Sequence, residues 1–138
     1  MEVIRPKLVS FRVTKFHGEN PGSVNGQETW SLQLNQTIEI ELGVSSGTTE
    51  KLQARIKIDL EARAFPEGTL EALAGFNAAY EAKFDYSQDV TEEKIAPLME
   101  QDHYQYGLVA QAFPLAMTHF RRELQSLGFD ARELPLGL

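Results

Sequence analysis

A chain of 138 residues, 42% of them apolar, is sized for one domain, residues 1–138, with a sizeable core. Its net charge of -7, with scattered basic residues, sets it against nucleic acid, whose phosphates such a surface repels. The absence of cysteine excludes a disulfide frame, thiolate metal sites and a cysteine nucleophile.

The start, Met1-Glu2-Val3, has neither the basic nor the apolar run of a signal peptide. No stretch approaches the ~18 apolar residues of a membrane span. A cytoplasmic protein without membrane insertion is therefore expected.

Residues Leu8 to Phe16 read as a first strand, in which Val9, Phe11 and Val13 alternate with Ser10, Arg12 and Thr14. His17 to Thr29 is a long turn-rich connection. Trp30 then opens the cleanest alternation. Trp30, Leu32, Leu34, Ile38, Ile40, Leu42 and Val44 point one way, with Gln36 as the interruption, a position for a bulge or bend. The turn Ser45-Ser46-Gly47-Thr48-Thr49 leads to a third strand, where Leu52, Ala54, Ile56, Ile58, Leu60 and Ala62 alternate with polar residues.

The register of this hairpin follows from its faces and charges. Apolar faces match when Ile40 lies opposite Ala54, Ile56 or Ile58. Ile56 sets Glu41 against Arg55 and Glu39 against Lys57, both attractive. Ile58 sets Glu39 against Asp59, and Ala54 keeps one attractive pair. Cross-strand pairs contribute roughly 0.2–1 kcal/mol each, so they select among registers that face matching already permits. The other face is polar along its whole length, which predicts an antiparallel sheet covered on one side.

Phe65 to Gly75 is a connection with room for one helical turn at Thr69–Ala74. Phe76 to Tyr86 is a fourth strand. Asp89 or Thr91 can cap a short helix, Glu92 to about Glu100, which contains Pro97. A long helix follows, roughly Asp102 to Leu127. Tyr106, Ala110, Phe113, Met117, Phe120, Leu124 and Leu127 recur at alternating steps of four and three, which gives a single stripe. Pro114 lies inside it and predicts a kink near Ala110–Pro114, or two helices meeting there. Gly128 suits a left-handed cap, and Phe129 to Leu138 reads as an extended tail.

No catalytic, metal or cofactor motif is present. His17, His103 and His119 lack metal-ligand spacing. Gly43 to Lys51 lacks the Gly-Lys-Ser/Thr of a phosphate loop. Ser45 and Ser46 sit in a turn, and the carboxylates of the strands alternate toward solvent. Trp30 serves either as a core anchor or as a binding platform, and the helix stripe as core or as an oligomer interface.

The order of strand, long connection, three meandering strands, short helix and long helix resembles SecB, the bacterial export chaperone. The residues that carry the likeness are Ala112-Phe113-Pro114-Leu115-Ala116, Gly128-Phe129, Leu134-Pro135-Leu136, and Trp30 after Gln27-Glu28. Asp85 to Lys94 is polar and acidic where SecB is glycine-rich, and the chain ends soon after Leu136. Both departures point to a small SecB-like protein rather than to export SecB.

The resemblance implies an α+β fold: a four-stranded antiparallel sheet, with strand one returning beside strand four, and both helices on one face. It implies a non-enzymatic protein, without cofactor, that holds unfolded or precursor polypeptides on apolar grooves. The peptide-binding contacts expected are Trp30, Phe76, Tyr80, Tyr104 and Tyr106. A homodimer or homotetramer is expected too, with the long helix or the edge of strand one at the interface. A helix of roughly 38 Å overhangs a narrow sheet whose strands lie about 4.8 Å apart, and the SecB family forms dimers of dimers. Two other functions share this architecture: a structural member without clients, and a thioesterase-like enzyme with a carboxylate near His103.

Overall fold

A computed structural model describes residues 4–21, 30–44, 51–66, 68 and 70–135, with Trp30 placed by its backbone. The elements are β1 (Lys7–Gly18), β2 (Trp30–Val44), β3 (Leu52–Pro66), β4 (Ala74–Asp85), α1 (Glu92–Met99) and α2 (Asp102–Ser126). The sheet order is β1-β4-β3-β2 and every pairing is antiparallel. The fold is therefore α+β, with strand one beside strand four as the resemblance implied. The turn 45–49, most of the connection 22–29 and the end of the tail lie outside the described residues.

The hairpin register is the one that charge and face select. Ile40 lies opposite Ile56, Glu41 opposite Arg55 and Glu39 opposite Lys57. The ion contact itself is diagonal, Lys57 Nζ to Glu41 Oε1 at 3.6 Å between two exposed side chains. Such pairs are weak, so face matching carries the specification. Gln36 makes no bulge: it lies opposite Leu60 in unbroken pairing.

The bulges are in β1, between Leu8 and Ser10 and between Val13 and Lys15. Strict alternation from Phe11 would send Leu8 and Phe16 to the far face, because three and five residues separate them. The two extra residues return both to the core side, where Leu8, Phe11 and Phe16 pack against the buried cluster. Val9 and Val13 stay exposed, so the simple alternation expected for this strand does not hold.

β3 and β4 form the floor of the core. Alanine recurs on their inner face, at Ala54, Ala62, Ala78 and Ala82, all buried. Ala112 and Ala116 of α2 are buried too. Small side chains on both partners let the helix sit low, and α2 lies mainly over β1, β3 and β4. β3 extends to Pro66, and residues 70–73 form no helical turn before β4 begins at Ala74.

α2 runs unbroken through Pro114, so the chain does not divide into two helices there. The proline leaves the Ala110 carbonyl without its helical donor. Ala110 is exposed, so water can satisfy it. The buried ladder is Tyr104, Leu108, Ala112, Ala116, Phe120 and Leu124, joined by Val109, Phe113 and Met117. Each four-residue step overshoots a full turn by about 40°, so the buried side rotates along the helix.

The stripe read from the sequence is therefore correct from Phe113 onward and wrong at Tyr106 and Ala110, which face solvent. The ladder is covered within one chain along its length, so the expected unpartnered overhang of α2 is absent.

The end of α2 is closed by hydrogen bonds from Gly128 N–H to Gln125 O (3.0 Å) and from Phe129 N–H to Leu124 O (3.0 Å), with Gly128 at φ 95°. At α1, Thr91 occupies the capping position without a side-chain cap bond. The tail is not simply extended. Phe129, Ala131 and Leu134 are buried, and a turn brings Leu134 N–H to Ala131 O at 3.1 Å. Arg121 pins that turn through the carbonyls of Ala131 (3.0 Å) and Arg132 (3.2 Å).

Candidate functional site

β2 is an edge strand, and α2 lies mainly over the other three. The inner side chains of β2, namely Leu32, Leu34, Ile38, Ile40 and Leu42, are consequently half-buried. Their neighbours across the ladder on β3, from Ala54 to Ala64, are fully buried. The strip of β2 and the two helices enclose a groove.

Its wider part, about 440 Å³, is lined by Ile38, Ile40, Asp102, Gln105, Tyr106 and Val109. A narrower part of about 230 Å³ is lined by Ile40, Leu42, Ala96, Met99 and Gln105. Ile40 and Gln105 are common to both, so the two parts are continuous. The Gln105 amide donates to the Met99 carbonyl and ties the corner between α1 and α2. The floor is aliphatic, one wall offers a phenol, and Asp102 places a carboxylate at the rim. Ile38, Ile40, Leu42, Val109 and Gln105 are absent from the expected contacts: the expected strand order already set β2 at an edge, but not that α2 leaves its inner face half-covered.

The five expected contacts separate. Tyr106 is 53% exposed and lines the groove. Phe76 (1%), Tyr80 (1%) and Tyr104 (0%) are inside the fold and present no surface to a peptide. Their positions on β4 and on the rotating ladder of α2 turn them toward the core. Trp30 lies opposite Pro66 in backbone pairing, and its side chain is outside the described residues.

Tyr80 Oη lies 2.9 Å from His119 Nδ1, and His119 Nε2 lies 3.5 Å from Glu123 Oε1. Burial, assisted by Glu123, pushes the Tyr80 phenol up, so it keeps its proton. This trio links β4 to α2 and stands apart from the groove. His103 is exposed and lines neither part of the groove.

Among the described residues no group of three His, Asp or Glu side chains is arranged to hold a metal, and no helix is long and apolar enough to cross a membrane. Two further hollows, about 340 and 270 Å³, share Glu61 and Asn77 and mix charged or amide side chains with apolar ones. They lack the aliphatic floor of the groove.

No protein-family model and no curated protein matches the chain. Among solved structures, it is similar to a SecB-like chaperone of Mycobacterium tuberculosis in complex with a peptide from the HigA1 antitoxin. Identity is 18%, the match covers 97% of this chain and 88% of that one, and the TM-score is 0.49. The α+β assignment of this chain rests on its own strand order and helices.

Proposed function

We propose that this chain binds extended polypeptide segments, without chemistry of its own, along β2 in the groove beneath α1 and α2. One observation carries the reading: five apolar side chains of an edge strand are left half-covered beside a strand whose inner face is fully buried. Apolar surface in water forfeits roughly 25 cal/mol per Å², so covering this strip is favourable.

An added strand suits the geometry. β2 pairs with β3 over its whole described length without a bulge and carries no proline, whereas bulges disrupt β1, the opposite edge. A segment pairing with the outer edge of β2, which no described strand covers, continues the sheet and sends alternate side chains toward the groove. The resemblance to SecB implies the same kind of partner, unfolded or precursor polypeptide. Assembly as a homodimer or homotetramer belongs to this proposal as well, through a sheet edge rather than through α2.

The test is fluorescence anisotropy with a labelled peptide of alternating leucine and threonine. Its length is about eleven residues, matching Leu32–Leu42 at roughly 3.3 Å per residue. Binding is expected to be saturable and to weaken at least about tenfold, ~1.4 kcal/mol, in Tyr106→Ser and in Ile40→Thr. A wild-type chain that leaves this peptide free, or variants that bind it as well as wild type, would overturn the proposal. Light scattering with an unfolded, reduced protein separates client binding from a purely structural role.

A further inference from the structure

The start of the chain grips α2 from the side away from the groove. Tyr104 Oη donates to the Ile4 carbonyl at 2.7 Å. That bond uses its single proton, so in the 2.7 Å contact between Tyr86 Oη and Tyr104 Oη the donor is Tyr86. The three groups form a one-way relay, from Tyr86 through Tyr104 to the main chain of residue 4. Both phenols are pushed up by burial, so both retain the protons the relay uses.

The neighbouring contacts belong to the same segment. Pro6 is buried and Ile4 packs on the core. The Arg5 guanidinium lies 5.8 Å from the centre of the Tyr104 ring. It also lies over Gly107, where an added Cβ would come within 2.5 Å of Nη1.

Tyr104 and Tyr106 are about 200° apart around the helix, at about 100° per residue. The first turns of α2 thus have two occupied sides. Tyr104 and Gly107 meet the N-terminal segment, while Gln105, Tyr106 and Val109 form the wall of the groove. The grip from residues 4–6 therefore lies on the side of α2 opposite the groove wall.

We propose that residues 4–6 are a strap that sets the position of the first turns of α2, and through them the width of the groove. The effect on a peptide rests on the binding proposed above; the grip on α2 does not.

Hydrogen exchange on the full chain, read separately over residues 102–109 and 117–124, tests the strap. Tyr104→Phe keeps the ring and removes the donor. It should speed exchange over 102–109 at least about tenfold and leave 117–124 unchanged. Tyr86→Phe removes only the upstream donor and should give the same pattern at smaller size, which keeps the test decisive if Tyr104→Phe does not fold. Arg121→Ala, a disturbance at the other end of α2, should give the opposite pattern. Equal acceleration in both halves of α2, or none, overturns the strap.

The same three variants are then titrated against the leucine–threonine peptide. Affinity should fall at least about fivefold in Tyr104→Phe and stay within about twofold in Arg121→Ala. Equal affinities would overturn the coupling to the groove. A wild-type chain that binds no peptide would defeat the binding reading alone, and the exchange pattern would still decide the strap.

Discussion

Gly18 and Gly43 are both strand glycines, and replacing each by alanine separates packing from propensity. At Gly43 an added Cβ meets nothing within 4 Å. At Gly18 it would come within 2.5 Å of Phe76 Cδ1 and 3.2 Å of two atoms of the Phe16 ring. The Phe76 ring cannot simply retreat: it is 1% exposed and packs edge-on against Phe129, with centroids 5.1 Å apart. Alanine in a strand gains roughly 0.5–1 kcal/mol over glycine, so Gly43→Ala should stabilise by about that much. Forcing a methyl into a packed site costs about 1–3 kcal/mol, so Gly18→Ala should be less stable than Gly43→Ala by about that amount. Urea unfolding followed by circular dichroism reads the difference, as midpoints about 1 M apart for a slope of roughly 1–3 kcal/mol/M. Coincident midpoints would show that the Phe76 site yields freely and would refute the argument from ring packing.

Two further outcomes concern the C-terminal turn. The side-chain bonds from Arg132 hold the Asp130 carboxyl at about 2, below its ordinary 3.8, so its carboxyl carbon should titrate near pH 2 by NMR and move back toward the ordinary value in Arg132→Ala. Because the folded value is the lower one, the stabilising contribution is complete above about pH 4 and is lost as the pH falls through about 2. Arg121→Ala removes both donors to the Ala131 and Arg132 carbonyls; it should destabilise by about 1–2 kcal/mol and release residues 129–135 to proteolysis, and an unchanged cleavage rate would show that Phe129 and Leu134 hold the tail without it.

Where the pattern was long and two-sided, the sequence determined the structure by itself. Fifteen residues of β2 pair with β3 in the register that matched faces and opposite charges select, because a slip of one residue would send Leu and Ile side chains into water. The cap at Gly128 was legible for a similar reason: its left-handed backbone favours glycine strongly. Only the tertiary structure decided three other matters. The bulges of β1 re-aim its side chains by local extra residues that leave no mark on a period of two. The rotation of the buried ladder on α2 answers to the surfaces it crosses, which moved Tyr104 inside and Tyr106 outside. The groove exists because α2 leaves the edge strand β2 half-covered, and burial at an edge depends on what lies above it, not on the strand's own residues.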